Sequence, residues 1–441
     1  MSSAFAIAKM RRYVLGAAHV LRAHAPSVVA PADRDGLIRV DILIDQGRIA
    51  AMAAPSGLDS FGEAPRLALA GGIVLPLFVD AHTHLDKGNI WPRAANPTGV
   101  FERAIATVIE DRAAHWTAAD VAARMEFSLR AAYAHGASAI RTHIDSIGPQ
   151  TRISWPVLAE ARERWRGKIE LQASPLFIID LALDPAHMAD VEAMVGEHGS
   201  GILGAATPIG MRVREGLEVV FGLAERKGWD LDFHVDETAD PAARSLGLIA
   251  EMALARKFQG RILVGHCCSL ARQDDDEMRR TIDTVARAGI SVVSLPMCNM
   301  FLQDRHAGRT PRWRGVTALH ELRAAGVNVM IASDNTRDPF YPYGDLDMME
   351  VWREGVRILH LDYPFADWAE AVNSAPARAM SLDLGRLRPG SPADMILTHA
   401  RDFIELLARP QSDRVVLRRG EASNATPPSY AELDALEGLA P

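Results

Sequence analysis

The chain has 441 residues, 48% hydrophobic and 24% charged, an ordinary globular balance that excludes a disordered or fibrous protein. At roughly 100–200 residues per domain, this length admits two to four domains, or one large barrel with an appendage. Lysine and arginine total 48 against 56 acidic residues, and the resulting net charge of −8 speaks against a nucleic-acid binder driven by phosphate neutralisation. Three cysteines (Cys267, Cys268, Cys298) are too few for a disulfide framework, so a reduced, cytoplasmic setting is expected. The opening MSSAFAIAKMRRYVLGAAHVL has no basic region ahead of an apolar core and cleavage site, so no secretory leader is expected. No stretch approaches the ~20 uninterrupted apolar residues of a membrane span.

In chain order, residues 37–53 (LIRVDILIDQGRIAAMA) predict two short strands joined at an Asp-Gln-Gly turn. Eight β-rich runs follow, at 73–81, 137–144, 169–178, 202–206, 231–234, 261–266, 291–295 and 327–332. Each is nearly continuous in apolar residues, as strands buried on both faces require. Helical patterns lie between them, at 118–135, 190–198, 217–227 and 276–288. Alternation of this kind predicts βαβ units, and eight strands fit a closed (β/α)8 TIM barrel better than an open sheet with bare edges. Beyond the barrel, 393–397, 415–417 and the Arg419-Gly420 turn predict strands again. Neither end carries enough apolar residues for a core of its own. The expected organisation is therefore a small β-sandwich from residues 1–72 and 386–441 beside a catalytic barrel over 73–385. The tail from Asn424 onward is expected to be partly loose.

Catalytic side chains of such a barrel gather at the C-terminal ends of its strands. The first strand ends in His82-Thr83-His84, and residues two apart in an extended chain share a side, so both imidazoles can reach one metal ion. The fifth strand ends LDFHVDE, supplying His234 and Glu237; the sixth ends in His266; the eighth ends in Asp334. A lone histidine after an apolar run is usually a hydrogen-bonded core residue. Four distant segments each ending in a metal-type ligand are not what core packing needs. The fourth-strand run ILGAATPIG offers no lysine or carboxylate to bridge two ions, so one metal is expected, and imidazoles with a carboxylate suit Zn2+ or Fe2+. A divalent ion brings the pKa of its water towards 7. Asp334 can then accept that water's proton, Glu237 can carry a proton to a ring nitrogen or leaving amine, and His266 can orient the attacking oxygen.

The motifs FVDAHTHLDK (78–87), RTHID (141–145), FHVDET (233–238), GHC (265–267), NMFLQDR (299–305), ASDNTRDPFYPYG (332–344) and GSPADMILT (390–398) run in order along nearly the whole chain. Together they resemble the amidohydrolase superfamily, and within it the cytosine deaminase branch. That resemblance implies His82, His84, His234 and Asp334 as metal ligands, Glu237 as proton shuttle and His266 as the residue orienting the hydroxide. It also implies one Fe2+ or Zn2+ and release of ammonia or an amine from a ring carbon. Two departures point away from cytosine. The glutamine that grips the pyrimidine amide after the third strand is replaced by Phe177 or Ile178. The aspartate following the metal-binding aspartate is Asn335, as in relatives acting on substituted triazines. A site that loses buried hydrogen-bonding groups changes its substrate.

The expected activity is thus a mononuclear metal-dependent aminohydrolase of a small nitrogen heterocycle other than cytosine. The alternatives are a cyclic-amide hydrolase of hydantoinase or dihydropyrimidinase type, which would hold two metals, and an N-substituted aminotriazine amidohydrolase. Candidate substrate contacts are Asn335, Phe340 with Tyr341, Lys87 and Ile178. His143 and Asp145 are expected to support the ligands, and Cys267 and Cys298 to fill space as small hydrophobes. A small-molecule substrate and a homo-oligomer are expected, with neither nucleic acid nor membrane as partner.

Overall fold

A hairpin with the shortest practical loop organises the N-terminal sheet. The computed structural model describes residues 10–58 and 61–437, and in it the strands Leu37–Asp45 and Arg48–Ala53 pair antiparallel from Asp45↔Arg48. Gln46 (φ 49°) and Gly47 (φ 76°) are both left-handed, as the turn that matches strand twist demands. Arg12–Leu21 pairs antiparallel with Leu37–Asp45 and parallel with Arg66–Ala68, completing four strands. A second four-stranded sheet runs Glu421–Ala422, Val415–Arg418, Met395–Leu397 and Val74–Pro76, antiparallel throughout. Leu15, Val20, Ile42 and Ile49 from one end of the chain share a buried apolar core with Val74, Met395, Leu397 and Leu417. Each such side chain contributes roughly 1.5–3 kcal/mol by leaving water. These sheets belong to a compact unit of Met1–Val79, Ala132–Ser138 and Asp347–Pro427.

The apolar run over 73–81 is not one strand. Val74–Pro76 pairs with Met395–Leu397, and a separate strand, Phe78–Thr83, joins Ala137–Asp145 in another sheet. Pro76 has no N–H to extend a ladder, so the run breaks behind it, and an unbroken apolar string does not reveal that it serves two sheets.

The second unit comprises Asp80–Ala131, Ala139–Leu346 and Pro428–Pro441. Its strands form two groups. Phe78–Thr83, Ala137–Asp145 and Glu170–Leu176 are neighbours in that order, the last two parallel. Asp230–Val235, Ile262–His266, Ser291–Ser294 and Val329–Ile331 pair parallel in sequence, with the short Ile202–Leu203 and Ala206–Thr207 parallel to the first of them. Isolated parallel bridges Ile178↔Ala206 and Thr83↔Asp334 link the groups at both ends. The result is a TIM-barrel-like α/β fold built on parallel sheets. The expected helix over 118–135 is present as Ala118–His135, those at 190–198 and 217–227 extend to Pro185–His198 and Val213–Lys227, and that at 276–288 lies one residue earlier as Asp275–Arg287. Phe101–His115, Gln150–Trp165 and Ser245–Arg256 are additional helices.

The tail, expected to be partly loose, is exposed over most of 424–432 and anchored at a few points. Leu433 is buried, Glu432 pairs with Arg130, and the Arg337 guanidinium lies 3.8 Å from the Tyr430 ring centroid. No helix among the described residues is long and apolar enough to cross a membrane.

Candidate metal centre and active site

The strand Phe78–Thr83 carries His82, and His84 follows one residue beyond its end. Asp334 is locked beside them: its amide donates to the His82 carbonyl (2.9 Å), and the Thr83 hydroxyl donates to the Asp334 carbonyl (2.8 Å). Asp334 Oδ1 is thereby placed 3.2 Å from His84 Nε2 and 3.6 Å from His82 Nε2. His234, from the strand Asp230–Val235, brings its Nε2 to 3.4 Å from His84 Nε2. His82, His84 and Asp334 are almost inaccessible, and His234 is half-buried. Asp334 (φ 64°) and His266 (φ 69°) both hold left-handed backbone, which costs roughly 1–3 kcal/mol each and survives only where surrounding contacts enforce it. The approach of strands is equally tight at Gly265, where a Cβ would lie 2.8 Å from His82 Cε1.

The electrostatics suit ligand chemistry. Burial, then the charges of neighbouring histidines and Lys87, hold His82 and His84 well below the ordinary imidazole range, and burial with neighbouring histidines does the same to His234. All three are neutral and keep a lone pair to donate. Burial lifts Asp334 to about 7. Both Asp334 oxygens, His82 Nε2 and His266 Nε2 are buried without a hydrogen-bond partner. Orphaned buried polar atoms each cost about 1–3 kcal/mol, so their convergence calls for something positive to satisfy them. Ligand atoms of His82, His84 and Asp334, and of His82, His234 and His266, lie within 4.8 Å of one another. A donor set of neutral imidazoles and one carboxylate fits a divalent cation.

Beside this set, Glu237 Oε1 accepts from Asn299 Nδ2 (2.9 Å) and lies 3.2 Å from His266 Nδ1. Asn299 Nδ2 also lies 3.0 Å from His266 Nδ1, and Gln303 Nε2 donates to the Glu237 carbonyl. Burial disfavours a charged His266, but the Glu237 and Asp334 carboxylates and the Asn299 contact outweigh it and raise its pKa. Behind the ligands, His143 Nε2 is 3.1 Å from His82 Nδ1. Beneath it, Asp232 accepts from Arg141 (2.9 Å), and Arg141 in turn holds Gln172.

The remaining candidates divide. His143 meets His82, whereas Asp145 accepts from Arg112 (2.8 Å) and sits 4.0 Å from Lys87 Nζ. Asn335 Nδ2 donates to the buried Asp338 (2.6 Å), with its Oδ1 3.6 Å from Cys298 Sγ. Phe340 carries the Lys87 ammonium 4.9 Å above its ring and meets Phe101 edge to face, while Tyr341 is buried against Phe301. Phe177 is buried against His187, and Ile178 is 37% exposed. Cys267 and Cys298 are buried free thiols. Reasoning from strand ends missed Asn299 and Asp338; the signal was their place inside NMFLQDR and SDNTRDPF, where a polar residue sits in an otherwise apolar or turn-forming stretch.

The amidohydrolase family profile matches residues 157–422. A pterin deaminase from Rhizobium rhizogenes (strain K84) is 51% identical over 428 residues, 97% of each chain. Among solved structures, 5-methylcytosine deaminase from Klebsiella pneumoniae liganded with 5-fluorocytosine superposes with a TM-score of 0.78 at 24% identity, covering 93% of this chain and 96% of that one. N-isopropylammelide isopropylaminohydrolase from Burkholderia multivorans gives 0.75 at 27% identity, covering 94% and 98%.

Proposed function

This chain belongs to the amidohydrolase family, and from that premise we propose that it is a metal-dependent hydrolytic deaminase of a fused 2-amino-4-oxo heterocycle of the pterin type. The observation that carries the reading is the convergence of His82, His84, His234 and Asp334, with Glu237 and His266 alongside. In this reading those four hold one Zn2+ or Fe2+. When bound, such an ion supplies the positive charge that makes a water nucleophilic near neutral pH. Asp334, the carboxylate of this set, accepts the water's proton. The water oxygen adds to the ring carbon bearing the amino group, and Glu237 relays the water's first proton, taken up by way of Asp334, to the adjacent ring nitrogen and its second, released as the new carbonyl forms, to the departing nitrogen. The carbon–nitrogen bond breaks, ammonia leaves and a carbonyl remains. His266, carrying its proton, holds the incoming oxygen. Asn335, Phe340, Lys87 and Ile178 face the heterocycle, and the apolar Phe177-Ile178 end of the third strand leaves a second ring without a polar group to displace.

The same reading closes the parallel strands into a (β/α)8 barrel, supported by the bridges at Thr83 and Ile178, and makes the two terminal segments one β-sandwich, supported by their shared core. The free, buried cysteines support a cytoplasmic setting.

Purified protein should carry one metal equivalent and release ammonia from 2-amino-4-oxopteridine faster than from cytosine or isocytosine. Glu237→Gln should keep the metal and lose roughly 10²–10⁴ in turnover. Ring opening without ammonia at two metal equivalents would support the cyclic-amide alternative, and near-normal turnover by E237Q would remove Glu237 from its role.

A further inference from the structure

Lys87 is a buried cation whose hydrogen bonds are unspent. It is 5% exposed, and its loop is pinned on both sides: Arg124 Nη1 donates to the carbonyls of Asp86 and Gly88, and the Asn89 amide donates to the Thr336 carbonyl (2.9 Å). An ammonium on so fixed a loop has little freedom to leave for solvent. The carboxylate nearest to it, Asp145, stands at 4.0 Å, beyond hydrogen-bond reach, and is already engaged by Arg112. The Lys87 charge also reaches the Asp86, Asp334 and Asp338 carboxylates without a hydrogen bond to any of them, and the ammonium lies over the Phe340 face, which attracts a cation but accepts no strong N–H bond. Among the described residues nothing accepts a hydrogen bond from Lys87 Nζ. By contrast, the amide donors around the ligand set are committed: Asn335 Nδ2 to Asp338, Asn299 Nδ2 to Glu237, Gln303 Nε2 to the Glu237 carbonyl. The third-strand end supplies Phe177 and Ile178, which have no side-chain donor.

Lys87 also stands where charge from the reaction can reach it. It lies three residues past His84, and it meets Phe340 on the loop that begins at Asp334, so the first and last ligand-bearing loops close on it. Its charge is among the causes that keep His84 neutral.

Building on the deaminase reading, we propose that Lys87 donates to the ring carbonyl oxygen of the substrate and selects oxo-amino heterocycles over diamino ones. As the water oxygen adds to the amino-bearing carbon, the electron pair displaced from the ring C=N bond moves onto the ring nitrogen and is shared with the conjugated carbonyl oxygen. A cationic donor at that oxygen holds the charge until Glu237 protonates the nitrogen. A preorganised donor of this kind acts more on the transition state than on ground-state binding.

The experiment compares wild-type, Lys87→Met and Lys87→Arg on 2-amino-4-oxopteridine and on 2,4-diaminopteridine, which lacks the carbonyl. Metal content and thermal midpoint are read for each protein. K87M should keep its metal and midpoint, lose roughly 10²–10³ in kcat on the oxo substrate with a smaller change in KM, and lose the wild-type preference for it. K87R should recover part of both. Unchanged kcat in K87M, or equal losses on the two substrates, would overturn the inference and leave Lys87 as a scaffold for Asp145 and Phe340. Wild-type protein inactive on both pteridines would instead bring down the deaminase reading and this inference with it, whereas an active wild type isolates the role of Lys87.

Discussion

Leu15, Ile42, Met395 and Leu417 share near-complete burial with His82, His84, His143 and Asp334, and almost nothing else. The first group belongs to a wholly apolar core, assembled from residues near both ends of the sequence. The second is a crowd of polar groups with several atoms left unpaired. Burying apolar area is favourable by itself, while burying orphaned nitrogens and oxygens is a cost that folding alone does not recover. The contrast separates what stabilises this chain from what the chain is stabilised to hold.

The contrast breaks if damage to one region is felt equally in the other. The largest effect is expected from Leu15→Ala, which removes a fully buried side chain between two sheets. It should lower unfolding free energy by about 2–5 kcal/mol while metal stoichiometry and affinity stay unchanged. Loss of metal without loss of stability, measured by chemical denaturation and elemental analysis, would show that the apolar core positions the ligands.

A histidine inside the apolar unit sharpens the comparison. His24 is fully buried, with its Nε2 3.0 Å from Asn373 Oδ1, and burial pushes its pKa from 6.5 to about 4. Below pH 6.5 the unfolded chain takes up a proton that the folded imidazole refuses. This contribution to stability is therefore present above pH 6.5 and is lost as the pH falls towards 4. The shift corresponds to roughly 3 kcal/mol across that window. His24→Gln should flatten the acid dependence of the urea midpoint relative to wild type, and an unaltered slope would refute the assignment.

The smallest effect is expected at His143, which touches His82 Nδ1 and so fixes which nitrogen His82 offers to a cation. His143→Ala should weaken metal affinity about 10–100-fold in a chelator competition, with His143→Gln recovering part of it. Equal affinity in both variants and wild type would make His143 mere filling.

The parallel strands were legible because each is an apolar run too long and too uniform for a half-exposed face, and the cluster of His82, His84, His234 and Asp334 because polar residues interrupt those runs at their ends. What stayed hidden has identifiable causes. The strand Arg12–Leu21 begins at the second residue of the Arg11-Arg12 pair and contains Gly16 and two alanines, so its β character lies in its pairing with Leu37–Asp45 and not in its composition. The helix Gln150–Trp165 carries Pro156, which argues against a helix when only the sequence is read. Asp145 ends a strand as His234 and Asp334 do, yet Arg112, thirty-three positions earlier, claims it. Asn299 and Asp338 act by orienting Glu237 and Asn335, and a residue that works through a neighbour leaves no periodic trace.

Gly265 gives a criterion usable on sequences whose structures have never been determined. A methyl group there would collide with the His82 ring, so bulk at that position and a histidine on the first strand exclude one another unless the backbone moves. Homologous chains that keep His82, His84, His234 and Asp334 but have exchanged this glycine for a larger residue should be sorted as remodelled or silent, and those retaining it as competent, from one letter beside His266.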